Sequence, residues 1–474
     1  MDNKKKKMAA FGGFSGILLV VLVVALVLVL TQQPQSVGTD GTTTTVNTTA
    51  SIESQNSTTA TQSNDTSANA TTSSNATSGS TANQPNSDGN TTTTVTSAQS
   101  TTTTKTTSTE KEPNMNTQPQ VIDTTKYNLY TYTQRYWSGN TVYNESVYPM
   151  TTKTGENEVI QLLYPATKII EVRSSDLKTL YKEGKDYTLV DGKLVIPSGS
   201  SIRVNDYNKY YLTEELPGQS MKAPNNGYIY FSEGAVFHNA QIAVTYQHSS
   251  KWSGPVPAKQ GSELPKLQER IAEKSALTVV FFGDSISCGA NASSTVGASP
   301  YTPKWTEMFE EYLEQQGVVV TAYNTSVGGQ VSSYGALYTR QKVTRYNPDL
   351  VVLGWGMNDA SSWNNTSIQQ YYENMKAMII QIRNANPNCE IILLGSMFPN
   401  SEAIEFVGPI EEYTDELKKL ANEYDGVVLA NMSEIHKHIL TRKNYRDITG
   451  NNVNHPNDFV SRMYTQVLLE TISK

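Results

Sequence analysis

The sequence predicts an α/β protein whose C-terminal part is a doubly wound parallel sheet. It also predicts that an all-β, jelly-roll-like domain, a disordered Ser/Thr-rich linker and an N-terminal transmembrane helix precede this sheet. Three observations lead to the prediction. Strands alternate with helical segments after residue 265, short strands separated by turn residues fill the region before it, and no aromatic residue occurs from Ser15 to Lys126. These changes in composition divide the chain into a cytoplasmic segment (1–10), a transmembrane helix (11–30), a linker (31–120), an all-β domain (121–255) and the α/β domain (266–474).

Composition excludes several classes of protein. The formal net charge of −7 argues against a protein that neutralises nucleic-acid phosphates over a broad face. Two cysteines in 474 residues exclude a disulfide framework and a cysteine-rich zinc site. Cys288 and Cys389 can pair only if their Cα atoms lie within about 7 Å, and two separate thiols are the alternative. His436 and His438 do not share a helix face. We therefore expect neither a metal nor a cofactor.

The first thirty residues predict a membrane anchor. A basic cluster, Lys4–Lys7, precedes an uncharged and largely aliphatic run, Met8–Leu30. A helix of about 20 residues spans the hydrocarbon core of a bilayer, and lysines before the span place the N-terminus in the cytoplasm. We expect a cytoplasmic segment 1–10, a signal anchor 11–30 and folded domains on the extracellular side of the cell membrane. A cleaved signal peptide is the alternative, but its apolar region is shorter and ends at a small-x-small site.

Residues 31–120 have the composition of a linker. Ser and Thr account for 39 of the 70 residues from Gly41 to Glu110. A segment without aromatic residues cannot bury enough apolar surface to offset the entropy lost on ordering. A flexible coil of 90 residues has an end-to-end distance of about 50–60 Å, so we expect this linker to hold the following domains away from the membrane.

Residues 121–255 predict a β-sandwich or jelly roll. Short segments rich in branched residues alternate with Gly, Asn, Asp and Pro, as in Glu158–Leu163, Lys193–Ile196 and Gln241–Tyr246. The dipeptide Asp191-Gly192 lies between two such segments and predicts a hairpin, because both residues tolerate positive φ. Fifteen of the 27 tyrosines lie here. They favour a carbohydrate-binding surface if they are exposed, although tyrosine also suits half-buried strands.

Residues 266–474 predict the doubly wound sheet. A continuous apolar run is typical of a parallel strand that is covered on both faces, whereas helical spacing marks the connections between strands. In such sheets ligands bind at the carboxyl ends of the strands. The predicted strands are Leu277–Phe282, Val318–Tyr323, Leu350–Leu353, Ile391–Leu394 and Val427–Ala430, and the predicted helices are Trp305–Gln316, Ile368–Asn384, Ile410–Tyr424 and Asp458–Ser473.

Four short blocks follow these strands or precede the last helix. Ser285 follows the first strand in Gly-Asp-Ser, where a strand-to-helix turn exposes a hydroxyl and offers an N–H to a developing oxyanion. Gly329 follows the second strand and can offer a backbone N–H. Asn358 follows the third strand and can donate from its side-chain amide. His455 precedes the last helix. Each block alone is common, but their combination in one α/β domain favours a catalytic site.

The order of these blocks resembles the SGNH (GDSL) hydrolase superfamily, over about residues 278–473, and the resemblance implies a flavodoxin-like sheet. It implies that Ser285 is the nucleophile and His455 the base. It also implies an oxyanion hole formed by the N–H groups of Ser285 and Gly329 and the side chain of Asn358. A jelly-roll-like domain before an SGNH domain is similar to two-domain carbohydrate esterases that remove acetyl groups from polysaccharides.

One position departs from the pattern of the family. Asn452 stands three residues before His455, where the family usually has an Asp that orients the imidazole. An Asn can hold the ring through its carbonyl oxygen but supplies no charge. Asp447 is the nearest upstream carboxylate. The orienting member is therefore either Asn452, in a Ser–His dyad, or Asp447, and the spacing favours Asn452.

The sequence thus predicts an exported, membrane-tethered serine esterase that acts on acylated carbohydrate, most simply an O-deacetylase that works through an acyl-enzyme. A lipase or acylhydrolase acting on longer-chain esters is the alternative within the enzymes. A carbohydrate-binding surface protein with impaired catalysis is the alternative from another class, and Asn452 and the tyrosine-rich β domain are its support.

Overall fold

The computed structural model describes residues 122–474. The predicted cytoplasmic segment, the anchor and the whole linker therefore lie outside the described residues. Within 122–474, no helix combines the length and the apolar character needed to cross a bilayer.

Residues 122–255, the β-rich half, contain nine strands that pair only in antiparallel fashion. They form a four-stranded sheet in the order β1-β9-β2-β3, a three-stranded sheet β6-β8-β7 and the hairpin β4-β5. The jelly-roll arrangement remains a prediction. The elements are α1 (Leu129–Tyr132), β1 (Thr141–Val147), β2 (Ala166–Ser174), β3 (Leu180–Tyr181), β4 (Thr188–Val190), β5 (Lys193–Val195), α2 (Tyr207–Tyr210), β6 (Tyr211–Leu212), β7 (Ser220–Lys222), β8 (Tyr228–Tyr230), α3 (Val236–Ala240) and β9 (Ile242–His248).

The predicted hairpin is confirmed, whereas one predicted strand is wrong. Asp191 and Gly192 connect β4 to β5 with φ of 49° and 76°, the left-handed region that their residue types tolerate. The segment Glu158–Leu163 makes only an isolated bridge, at Ile160. Its last amide, that of Leu163, donates to a buried Glu145 carboxylate (2.9 Å) instead of to a neighbouring strand.

Residues 256–474, the α/β half, form a five-stranded parallel sheet in the order β11-β10-β12-β13-β14. All five strands agree with the sequence prediction to within two residues at each end. The sheet order reverses at β10, and this places a crevice at the carboxyl ends of β10, β11 and β12. The elements are α4 (Pro265–Glu273), β10 (Ala276–Gly283), α5 (Trp305–Gln315), β11 (Val319–Asn324), α6 (Ser332–Lys342), β12 (Leu350–Gly354), α7 (Ile368–Ala385), β13 (Glu390–Leu394), α8 (Ile410–Glu423), β14 (Val427–Ala430), α9 (Met432–Ile439) and α10 (Asp458–Thr471).

The hydrophobic core extends from the parallel sheet into the β-rich half. Alternate residues of β10 point to opposite faces, so that Val280 and Phe282 contribute to one core cluster and Val279 and Phe281 to another. The second cluster also contains buried residues of β1, β2 and β9, such as Val244. The two halves are therefore packed through a shared apolar core.

Candidate active site

Ser285 lies in the tight turn that follows β10. A Cβ atom on Gly283 would lie 2.1 Å from the carbonyl oxygen of Gly354, so only glycine allows the end of β10 to approach β12 this closely. The Asp284 carboxylate accepts a hydrogen bond from the Ile286 amide (2.9 Å), which closes the turn. The turn leaves Ser285 at the carboxyl edge of the sheet, as the sequence predicted.

Burial perturbs the neighbouring Asp284. Loss of hydration raises the pKa of this carboxyl group to about 7, and the nearby Asp359 carboxylate adds to the effect. Backbone amides and His455 act in the opposite direction.

His455 contacts Ser285 directly. Its Nε2 lies 2.9 Å from the Ser285 hydroxyl oxygen, and its Nδ1 lies 2.7 Å from Oδ1 of Asn291. The backbone around the ring is held as well, because the His455 carbonyl accepts from Thr449 Oγ1 and from the Gly450 amide, both at 3.0 Å. Both His455 and Ser285 are buried to about nine-tenths.

The contacts of Asn291 determine which ring nitrogen carries the proton. Its Nδ2 donates to the carbonyl oxygens of Gly234 and Gly450, each at 3.1 Å. Because a side-chain nitrogen must face two carbonyl groups, Oδ1 must face the ring, and Oδ1 is only an acceptor. Nδ1 of His455 is therefore the protonated nitrogen, and Nε2 is free to accept the proton of Ser285.

The expected oxyanion donors follow the three adjacent strands. A Cβ atom on Gly328 would lie 3.6 Å from the Cβ of Ser285, so the Gly328–Gly329 turn borders Ser285. The amides of Gly329 and Ser285 donate to no group within residues 122–474. Asn358 Nδ2 donates one hydrogen to the Gln330 carbonyl (3.0 Å), which orients the amide and leaves its second hydrogen available.

Neither sequence candidate for the orienting member contacts the ring of His455, and this corrects both expectations. Asn452 is fully buried, and its Oδ1 accepts from the Tyr210 hydroxyl (2.8 Å) while its Nδ2 donates to the Tyr230 carbonyl (2.8 Å). The Asp447 carboxylate accepts from the Tyr148 amide (2.8 Å) and pairs with buried Lys443 (3.6 Å). Both side chains face the β-rich half instead of the imidazole.

The groups beside the ring were not found from the sequence. Asn291 lies in the loop after β10, and no motif distinguishes it. Glu233 lies in the β-rich half, and its Oε2 is 3.4 Å from Nδ1 of His455. Since nothing in the chain order connects this glutamate with the histidine, only the packing of the two halves reveals it.

The described residues form neither a metal site nor a disulfide. Residues 122–474 contain no group of His, Cys, Asp and Glu side chains arranged to hold a metal ion, and both Cys288 and Cys389 are free thiols. Burial raises the pKa of Cys389 to about 12, so that this thiol is unreactive.

Comparison with known proteins identifies the class. Residues 281–461 match the GDSL-like Lipase/Acylhydrolase family. This part of the chain is therefore similar to the GDSL-like lipases and acylhydrolases, in agreement with the resemblance of its sequence blocks to the SGNH (GDSL) superfamily. No curated protein sequence matches the chain.

Several solved structures share similarity with the chain. One is a two-domain esterase (CEX) active on acetylated mannans, with 20% identity, 46% of this chain and 53% of the other covered, and a TM-score of 0.36. Another is a mutant of Axe2, an acetyl-xylooligosaccharide esterase from Geobacillus stearothermophilus, with 16% identity, coverage of 42% and 94%, and a TM-score of 0.35. A third is a lipase/acylhydrolase from Enterococcus faecalis, with 19% identity, coverage of 41% and 93%, and a TM-score of 0.34. The match spans about half the length of the two-domain esterase.

Proposed function

We propose that the protein hydrolyses carboxylic esters through an acyl-enzyme formed on Ser285. The observation that supports this most strongly is the 2.9 Å contact between the Ser285 hydroxyl and Nε2 of His455, with the tautomer of the ring fixed by Asn291. Nucleophile, base and orienting acceptor thus stand in the relation that acyl transfer requires.

The proposed reaction has two half-reactions. Nε2 of His455 takes the hydroxyl proton while Oγ of Ser285 bonds to the ester carbonyl carbon. The resulting oxyanion accepts hydrogen bonds from the amides of Ser285 and Gly329 and from the side chain of Asn358. The bond to the leaving alcohol then breaks, and the alcohol takes the proton from Nε2. In the second half-reaction, water loses a proton to Nε2 and attacks the acyl carbon. The carboxylic acid leaves, and Ser285 regains its proton.

A chromogenic ester tests the activity. The full-length protein should hydrolyse p-nitrophenyl acetate, and Ser285→Ala should lower kcat by about 10³-fold or more. Ser287→Ala is the matched control, because Ser287 lies in the same turn and its hydroxyl faces the Gly354 carbonyl instead of His455. Equal rates for the wild type and Ser285→Ala would refute the proposal.

We further propose that the acyl group is short, most simply an O-acetyl group on a carbohydrate. The side chains beside His455 are polar, namely Glu233, Asn291, Asn451 and Asn454. Such surroundings favour a hydroxylated substrate over a lipid.

An acyl-chain series separates this proposal from the lipase alternative. We expect kcat/KM to fall steadily from p-nitrophenyl acetate to the butyrate and octanoate, and acetylated xylan or acetylated peptidoglycan to release acetate. A preference for octanoate would instead favour a lipase or acylhydrolase.

The location is a proposal that rests on the basic cluster and the apolar run before residue 31. Full-length protein should remain with membranes after a high-salt wash, with residues from Tyr127 onward accessible to protease outside the cell. Release of a chain that begins near residue 32 would support a cleaved signal peptide instead.

A further inference from the structure

Glu233 extends from the β-rich half to the imidazole of the α/β half. It follows β8 and precedes α3, and its Oε2 lies 3.4 Å from Nδ1 of His455. That distance exceeds a normal hydrogen bond but suits an ion pair with a protonated ring. Resting on the proposed ester hydrolysis, we propose that Glu233 is the acidic positioning residue of this site and stabilises the imidazolium that forms at His455.

The second oxygen of Glu233 is held by the loop that carries the histidine. Nδ2 of Asn451 donates to Oε1 of Glu233 at 2.9 Å. Asn451 is itself fully buried and fixed, because its Oδ1 accepts the amides of Val453, Asn454 and His455 at 3.0–3.1 Å. One asparagine therefore fixes both the backbone of the base and the carboxylate that faces its ring.

The backbone around Glu233 is anchored by the same network. The carbonyl of Gly234 accepts from Nδ2 of Asn291, whose Oδ1 contacts the His455 ring. Gly234 has φ of 78°, so a residue without Cβ allows the turn at this point. On the next helix, buried Phe237 stacks against Tyr148 at 5.6 Å between ring centroids.

Asn452 explains why the acid comes from elsewhere. This residue occupies the position that the family usually gives to the acid, but its side chain joins the two halves through Tyr210 and Tyr230. Gln241 also connects the two halves, because its Nε2 donates to the carbonyls of Arg446 and Thr449, both at 3.0 Å. The loop before His455 is thereby fixed to the β-rich half, which brings Glu233 to the ring.

Asn291 and Glu233 together supply the two functions that the family's aspartate usually provides, which are the orientation of the ring and a negative charge. Asn291 holds the tautomer but carries no charge, whereas a carboxylate supplies the charge. The Glu233 side chain is 52% exposed, and although partial burial tends to raise its pKa, the neighbouring His455 and the hydrogen bond from Asn451 hold that pKa below its usual value. Asp284, which follows β10, is a further titratable group that interacts with His455.

The test compares Glu233→Gln with Glu215→Gln, an exposed glutamate of the same half. In full-length protein, Glu233→Gln should lower kcat for p-nitrophenyl acetate by about 10- to 100-fold, with little change in KM. This loss is smaller than that for a triad aspartate, because Asn291 preserves the tautomer. The acidic limb of the kcat/KM profile should move to lower pH by about one unit, because the imidazolium loses its counter-charge. Glu233→Asp should recover part of kcat, and Glu215→Gln should match the wild type.

Two results would overturn the inference. One is a Glu233→Gln rate within about twofold of the wild type with the same pH profile. The other is a loss that follows the folded fraction by circular dichroism while the pH profile stays unchanged, which indicates a structural role. Both leave the proposed function intact, whereas an inactive wild type, or an active Ser285→Ala, would show that the proposed function itself is wrong.

Discussion

Replacement of Asn452 by aspartate restores the family's usual residue, yet the structure predicts a less stable protein and no gain in rate. The site is fully buried, and Nδ2 of Asn452 donates to the Tyr230 carbonyl at 2.8 Å. A carboxylate places an oxygen instead of an N–H against that carbonyl. The Tyr230 carbonyl then has no donor from residue 452, which lowers the free energy of unfolding by about 1–3 kcal/mol. The buried charge adds to this cost, although the Tyr210 hydroxyl and Asn400 Nδ2 still donate to residue 452. We expect Asn452→Asp to lower the free energy of unfolding by about 3–5 kcal/mol at pH 8.

The destabilisation should depend on pH with a definite sign. A protonated aspartic acid can donate to the Tyr230 carbonyl, so the folded-state pKa of the new residue should lie above its unfolded value of about 3.9. The unfolded state then loses its proton first, and stability falls as pH rises through the window between the two values. Relative to the wild type at each pH, the variant should therefore be at least about 1.4 kcal/mol less destabilised at pH 5 than at pH 8.

Urea unfolding followed by tryptophan fluorescence measures both effects. Asn347→Asp is the matched control, because Asn347 also has a positive φ, 46°, but is exposed. The control should stay within about 0.5 kcal/mol of the wild type. A loss below about 1 kcal/mol at both pH values, or a higher kcat for Asn452→Asp, would refute the reasoning, because residue 452 would then serve the imidazole.

Three further substitutions test separate parts of the account. Asn358→Ala should lower kcat by about 10²–10³ with little change in KM in steady-state assays, because its hydrogen bond strengthens only in the transition state; a change confined to KM would demote Asn358 to substrate binding. Asp447→Asn should leave kcat within about threefold while urea unfolding shows a loss of about 1–3 kcal/mol, since Asp447 pairs with buried Lys443; a 10³-fold loss of kcat would contradict this. Because the pKa of Asp284 is raised to about 7, the folded state loses stability as pH rises from about 4 to about 7. Across that range, thermal or urea unfolding should show the free energy of unfolding of Asp284→Asn rising by up to about 4 kcal/mol relative to the wild type. Plots of the free energy of unfolding against pH that run parallel for the two proteins would refute the raised pKa.

The sequence was most informative where local pattern and topology agree. Apolar runs such as Leu277–Phe282 are distinctive of a covered parallel strand, and the five predicted strands occur in the structure. Because carboxyl ends of neighbouring parallel strands meet at one edge, Ser285, Gly329 and Asn358 could be expected to converge from their position in the chain alone. The contact of His455 with Ser285 agrees with the resemblance to the SGNH family.

The orienting groups depend on packing that no local pattern records. Asn452 has the right spacing from His455, but its positive φ of 73° and its contacts with Tyr210 and Tyr230 turn its side chain away from the ring. Glu233 reaches the ring from the other half of the chain through a shared core. Likewise, Glu158–Leu163 has strand-like composition but no complete ladder, because a buried Glu145 carboxylate takes the Leu163 amide.

An acyl-enzyme on Ser285 tests the central claim most directly. The full-length protein would be mixed with p-nitrophenyl acetate, quenched in acid within one turnover and mapped by peptide mass spectrometry. The account predicts one acetyl group on the peptide that contains Ser285, accumulation of this adduct in wild-type protein and its loss in Ser285→Ala. Two results would contradict it. One is an acetyl group on a different residue of the wild type, and the other is a Ser285→Ala protein that still hydrolyses the ester rapidly and still carries the acetyl group.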